Sequence, residues 1–127
     1  MKSLMKTYPN KIQFTFRHFP LPFNKHSKIY AKAATCAGNQ NKFWEYIDIT
    51  FANQSSLKSV KPEQLAEKLN LNLSEFSACL VSNDASNIVN DDLSEGERLN
   101  IRSTPTFIVN GQVFIGTITE SDIESFL

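Results

Sequence analysis

Hydrophobic and polar residues follow a helical period at the start of the chain and then switch to a strand period. MKSLMKTY carries its apolar side chains at helical spacing, which predicts a short helix over residues 1–8 that Pro9 ends. KIQFTFRHFP then alternates apolar and polar side chains, and this period of two predicts a strand over residues 12–19 with one wetter face. Pro20 and Pro22 are placed to end that strand.

The middle of the chain is predicted to be helical. Asn24 can cap a first helix that Gly38 ends, and Pro62 suits the first turn of a later one. Ser74 can cap the helix that follows, and the final helix of this middle region is predicted from about residue 84 to residue 99. The apolar positions expected to face the core are Ile29, Ala33 and Cys36, then Phe43, Trp44, Ile47 and Phe51, then Leu65 and Leu69, and then Phe76, Cys79 and Leu80.

Strand signals return near the carboxyl end. Thr106–Val109 is a β-branched and aromatic run, and the Asn110-Gly111 pair after it is the strongest two-residue hairpin signal. Residues 113–115 then form the partner strand. A last helix is predicted to be capped by Thr119 and Asp122 and to bury Ile123, Phe126 and Leu127. This order of elements predicts a mixed α/β fold.

Composition excludes several classes of protein. The 127 residues are 41% hydrophobic and include ten phenylalanines, which is typical of one globular domain with an aromatic core. Thirteen basic residues balance thirteen acidic ones, and no basic stripe alternates with aromatics, so nucleic acid is not an expected partner. No window contains the run of about 18 apolar residues that a membrane-spanning helix needs.

Other candidate residues favour structural roles. His18 and His26 have no Cys, Asp or Glu beside them at ligand spacing, so we expect both to be structural and expect no metal site. The acidic cluster at residues 91–97 is predicted to be a solvated helix face. The aromatic residues around Trp44 and Phe51 could line a groove for apolar peptides, although core packing is favoured.

Four segments, in this order and at these separations, resemble the DsbA-like branch of the thioredoxin superfamily: FTFRHFPL, AATCAGNQNKFWEYIDITFANQ, LAEKLNLNLSEFSACL and IRSTPTFIVNG. The resemblance implies a single thioredoxin-like domain over residues 1–127 with a helical insertion over residues 24–99. It aligns Thr104 and Pro105 with the family's cis-proline, which lies against a C-x-x-C dithiol at the start of the first helix. On local signal alone, Pro105 could instead begin an edge strand in trans.

The C-x-x-C itself is absent from the 127 residues. The resemblance places it a few residues before KSLMKTYP, so we expect a fragment that lacks the first, central strand and the start of the first helix. In that case Met1 is an internal methionine of a longer protein. The alternative is a natural short variant that has lost its redox centre.

Cys36 and Cys79 are not expected to replace the missing dithiol. An attacking thiolate needs a low pKa of the kind that a helix N-terminus provides, whereas Cys36 is predicted at the end of one helix and Cys79 in the middle of another. A structural disulfide between the two and a pair of buried free thiols both stay open.

The resemblance implies a thiol:disulfide oxidoreductase that forms, reduces or isomerises disulfides in exported proteins. Its partners would be cysteine-containing proteins or peptides and a redox partner protein; it would need no cofactor, and the parent protein would be periplasmic or otherwise extracytoplasmic. The substrate would pair as an added strand with the backbone at Ser103, Thr104 and Pro105. This chain alone is expected to be redox-inactive. The alternatives are a non-catalytic peptide-binding or chaperone-like module and a relative of the kappa-type glutathione transferases.

Loss of the central strand has an energetic consequence. In the resembled fold that strand lies between residues 12–19 and residues 106–109, so its removal leaves backbone groups unpaired at a cost of about 1–3 kcal/mol each where water cannot reach them. A typical domain is stable by only about 5–15 kcal/mol. We therefore expect the isolated chain to be marginally stable or to self-associate, and its sheet to have a gap or to bring the two strands together.

Overall fold

The computed structural model describes residues 2–20 and 26–127, which form two compact units. The hairpin unit consists of Met1–Arg17 and Glu97–Leu127, and the helical unit is His18–Gly96. The described residues contain seven α-helices and a two-stranded sheet, so the predicted mixed α/β class is confirmed. The elements are α1 (Lys2–Thr7), α2 (Ser27–Gly38), α3 (Phe43–Ala52), a 3-10 turn (Gln54–Ser56), α4 (Pro62–Lys68), α5 (Leu73–Leu80), α6 (Asn83–Arg98), β1 (Thr106–Val109), β2 (Gln112–Ile115) and α7 (Glu120–Glu124).

No helix within residues 2–20 and 26–127 combines the length and the apolar character that a bilayer span requires.

Three large side chains, Tyr46, Leu65 and Phe76, fill the core of the helical unit and are completely buried. They come from α3, α4 and α5, and each contributes about 1.5–3 kcal/mol through burial of apolar surface. The Tyr46 and Phe76 rings lie 5.8 Å apart between centroids. The Tyr46 hydroxyl donates to the carbonyl of Pro62 at 3.0 Å, so the one polar atom of this ring has a partner inside the core.

A disulfide joins α2 to α5. Cys36 lies in the last turn of α2 and is buried, and its Sγ is bonded to that of Cys79 at the end of α5. The two cysteines are 43 positions apart in sequence, so the bond closes a large loop of the helical unit. Of the two arrangements that the sequence left open, the structure contains the disulfide.

The predicted inward stripes of α2 and α3 were partly wrong. Ile29, Trp44 and Phe51 are exposed, and Phe51 keeps 64% of its surface accessible. Tyr30 and Tyr46 are buried in their place. Both tyrosines donate their hydroxyls to backbone carbonyls, which lets a ring with a polar tip enter the core. α3 is apolar on nearly every side, so its periodicity could not single out one face.

The ends of two helices show what local sequence could predict. α2 ends at Gly38 as predicted, whereas the predicted cap at Asn24 lies outside the described residues. The prediction of Ser74 as the cap of α5 was wrong. Asn72 caps it instead, because its side-chain oxygen accepts the backbone N–H of Glu75 at 3.0 Å.

The hairpin unit contains the predicted hairpin. β1 pairs antiparallel with β2, with Ile108 opposite Val113, and the turn between them places Asn110 and Gly111 in the left-handed region at φ of 48° and 87°. Phe114, on the opposite face of β2 from Val113, meets Phe126 edge to face at 6.3 Å between ring centroids.

The last helix is capped as predicted. The Thr119 hydroxyl accepts the N–H of Asp122, and the Asp122 carboxylate accepts the N–H of Thr119, both at 3.0 Å. These bonds hold the pKa of Asp122 below its usual value. Ile123 is buried as expected, but α7 ends at Glu124 and Leu127 is exposed, so the prediction for Leu127 was wrong.

The predicted strand over residues 12–19 is absent, since the sheet in the described part of the chain contains β1 and β2 alone. Of the two arrangements expected for the truncated sheet, a gap or direct pairing of this segment with β1, direct pairing is not found among the described residues. The predicted alternation of burial along this segment is nevertheless present, because Ile12, Phe14 and Phe16 are half-buried and the residues between them are exposed. Side-chain alternation sets which face is buried, whereas a ladder also needs a neighbouring backbone of matching register.

Candidate functional site

The three predicted substrate-binding residues form an exposed loop directly before β1. Ser103, Thr104 and Pro105 are all exposed, and the peptide bond between Thr104 and Pro105 is cis. Two hydrogen bonds hold the ends of this loop. The Thr106 hydroxyl donates to the carbonyl of Ser103 at 2.8 Å, and the Gly116 N–H donates to the carbonyl of Pro105 at 2.8 Å. The loop is thus fixed at both sides of Thr104.

Thr104 itself has a free backbone. In the part of the chain that the structure describes, neither its N–H nor its carbonyl makes a hydrogen bond. The strand β1 begins just after this loop and pairs with β2 along one of its edges. Among the described residues, no strand pairs with its other edge. An edge of this kind presents a row of donors and acceptors at the spacing of an extended chain, so an added strand could pair with it.

A groove of about 150 Å³ opens beside this loop within the hairpin unit. Its lining consists of a connecting segment after α6, the start of β1 and the exposed face of β2: Leu99, Asn100, Ile101, Arg102, Ser103, Thr106, Val113 and Ile115. Among the described residues, the exposed Arg102 is the only charged one in this lining. No ion pair involves Arg102 within residues 2–20 and 26–127.

Sequence reasoning did not find this groove. One signal was present, since Arg102 is the only charged residue between Arg98 and Glu120. That isolation marks the side chain as unusual, but only the fold brings it to the same groove as Val113 and Ile115.

The two cysteines of the sequence do not supply a free thiol. Cys36 and Cys79 belong to the helical unit and are bonded to each other, and the sequence has no other cysteine. Thiol–disulfide exchange needs a thiolate to attack a sulfur. The 127 residues therefore supply no free thiol to the Thr104 loop while this disulfide is intact.

His18 is built into the helical unit. It is 7% exposed, and its Nε2 atom lies 3.0 Å from the Thr35 hydroxyl oxygen. Its backbone N–H donates to the Asp92 carboxylate at 3.0 Å, and its ring meets Phe43 edge to face. Burial lowers the pKa of His18, and the nearby Asp92 carboxylate offsets part of that effect. These contacts give His18 a packing role. The second histidine, His26, lies half-buried directly before the first residue of α2.

No group of three or more His, Cys, Asp or Glu side chains is arranged to hold a metal ion in the described ranges of the chain.

Comparison with known proteins gives a consistent family and unexpected relatives. A family model described as Thioredoxin matches residues 1–127. The chain is 31% identical over 113 residues to "Na(+)/H(+) antiporter NhaA 1" of Salinispora arenicola, a match that covers 88% of this chain and 17% of that protein. It is 29% identical over 120 residues to "Na(+)/H(+) antiporter NhaA" of Herminiimonas arsenicoxydans, covering 94% of this chain and 19% of that protein.

The chain thus spans less than a fifth of the length of these curated relatives. No solved structure gives a significant match. The family model, in contrast, covers the whole sequence, including the helical segments, the Thr104 loop, the hairpin and the last helix. The chain therefore belongs to the thioredoxin family.

Proposed function

We propose that this chain forms the substrate-binding side of a DsbA-like thiol:disulfide oxidoreductase whose dithiol comes from outside residues 1–127. Membership of the thioredoxin family supports a scaffold for thiol–disulfide exchange. The observation that carries the proposal is the exposed Thr104 in the loop before β1, whose backbone N–H and carbonyl are unpaired within the described residues. We do not propose antiporter activity, because the matched part is less than a fifth of each antiporter relative.

The role of the chain follows from backbone chemistry. An extended peptide that carries a cysteine or a disulfide pairs as an added strand with the backbone N–H and carbonyl of Thr104. The Ser103 and Pro105 carbonyls each accept a hydrogen bond, from Thr106 and Gly116, whereas both backbone groups of Thr104 are unpaired within the described residues. Exchange then needs a thiolate that attacks the substrate sulfur and a second thiol that resolves the mixed disulfide.

A second candidate is a peptide-binding module without redox chemistry. Its specific support is that the sequence has no C-x-x-C and that both cysteines are joined in the helical unit. The edge at Thr104 serves such a module equally well, so binding alone does not separate the two functions.

The binding step is tested with Thr104→Pro and Thr104→Ala. Proline removes the backbone N–H, whereas alanine removes only the side chain and keeps that donor. We expect a short extended peptide with serine in place of cysteine to bind the unaltered chain and Thr104→Ala, and to lose affinity for Thr104→Pro. Equal binding to both variants would contradict pairing at this edge.

The redox step is tested by insulin reduction. The 127-residue chain is compared with a version extended by whatever coding sequence lies in frame upstream. We expect no activity from the chain alone and activity from an extended form that contains a C-x-x-C. Peptide binding with activity in neither form favours the peptide-binding module.

A further inference from the structure

The groove beside Thr104 combines apolar walls with one free positive charge. Val113 and Ile115 project from the exposed face of β2, and Ile115 keeps 72% of its surface accessible. The Arg102 guanidinium carries five N–H donors in a planar fork that matches a carboxylate, and no acidic side chain pairs with it in the described part of the chain. The Ser103 and Thr106 side chains also line the groove.

The position of the groove connects it with a bound peptide. Thr106 lies opposite Ile115 in the sheet, so the groove opens on the face of the hairpin that bears these two side chains. Successive side chains of an extended peptide point to opposite faces of the sheet that the peptide joins. A peptide paired at Thr104 therefore sends every second side chain toward the face with Arg102, Val113 and Ile115.

We infer that this groove is a specificity pocket for an acidic side chain of the bound peptide, with Arg102 as its counter-charge. The inference rests on the proposed substrate-binding function and names the class of substrate. An aspartate or glutamate places its carboxylate on the guanidinium while its methylene groups lie along Val113 and Ile115. A lysine at the same peptide position meets a like charge and is disfavoured.

The test uses the intact 127-residue chain and pairs of short extended peptides with amidated carboxyl ends and serine in place of cysteine. One peptide of each pair has a single glutamate and its twin has glutamine at that position. We expect the glutamate peptide to bind about three- to fivefold more tightly, which is the scale of a solvent-exposed ion pair. The preference should shrink at about 0.5 M salt, because exposed charges are then screened.

Two controls separate this pocket from general attraction. Arg102→Gln should abolish the preference, whereas Lys58→Gln removes an equal charge from an exposed position in the helical unit and should leave it intact. Moving the glutamate by one peptide position should also abolish the preference, since neighbouring side chains point to opposite faces.

The possible failures are distinguishable. If both peptides of a pair bind equally well and Arg102→Gln changes nothing, the pocket is refuted while binding at Thr104 stands. If neither peptide binds at all, the proposed substrate-binding function fails as well. A preference that Lys58→Gln weakens as much as Arg102→Gln refutes the pocket, because it would reflect net charge alone.

Discussion

Reduction of the Cys36–Cys79 disulfide should remove a large part of the stability of the helical unit. The bond spans 43 sequence positions, and closing a loop of this size removes about 13 cal/mol/K of entropy from the unfolded chain, or about 4 kcal/mol at 25 °C. The reduced thiols occupy nearly the same space as the disulfide, so the core around Cys36 needs little repacking. Since small domains are stable by about 5–15 kcal/mol, the reduced unit should be close to its unfolding threshold.

Unfolding of the helical unit can be followed by tryptophan fluorescence. Trp44 is the only tryptophan and lies in α3 of the helical unit, so its fluorescence follows unfolding of that unit. With a urea m-value of about 1.5 kcal/mol/M, a loss of about 4 kcal/mol lowers the unfolding midpoint by roughly 2.7 M when a phosphine reductant is added.

The double variant Cys36→Ala/Cys79→Ala is the matched control, and its midpoint should not respond to the reductant. A shift of the unaltered chain that corresponds to less than about 1 kcal/mol would refute the loop-closure reasoning. So would an equal shift in the double variant, because no disulfide is left in it to reduce.

Three further results are expected. Phe76→Ala should lower the free energy of unfolding by about 3–5 kcal/mol, since the ring is fully buried, whereas Leu73→Ala on the exposed side of α5 should cost less than about 1 kcal/mol in the same urea titration. The pKa of His18 is lower in the folded chain than in the unfolded chain, so the unfolded state binds the proton more readily and stability should fall as the pH drops below about 6.5. Urea titrations at about pH 7.5 and pH 5.5 should show this loss in the unaltered chain and less of it in His18→Gln; equal pH dependence in both would contradict it. The chain should also self-associate with rising concentration, and Ile108→Lys on the exposed face of β1 should reduce this in sedimentation velocity, because charges on an edge strand oppose further pairing.

The features that the sequence predicted correctly are those set by a few neighbouring residues. The Asn110-Gly111 turn needs two residues that tolerate positive φ, and the Thr119–Asp122 capping box needs two side chains three positions apart. The residues that form each of these features also determine it, so each could be predicted without knowledge of the remaining chain. The cap of α5 was missed by two positions because Asn72 and Ser74 are both good caps and only the backbone geometry selects Asn72.

The features that the sequence could not predict depend on distant partners. The segment over residues 12–19 has the alternation of a strand, but a strand also requires a second backbone beside it. The inward face of α3 depends on which hydroxyl reaches a carbonyl, and Tyr46 reaches Pro62 while Trp44 and Phe51 do not enter the core. The charge of Arg102 is visible in the sequence, whereas its position in the groove with Val113 and Ile115 arises only from the fold.

The two units are stabilised in different ways, and this difference bears on function. The helical unit has a continuous aromatic and aliphatic core and a covalent cross-link. The hairpin unit buries Leu4 and Ile123 but leaves Ile108, Val113 and Ile115 exposed on one face of the hairpin. A peptide paired at Thr104 would cover part of that apolar face. Ligand that binds only the folded state stabilises it in proportion to its affinity, so peptide binding and the stability of the hairpin unit should rise together while the helical unit changes little.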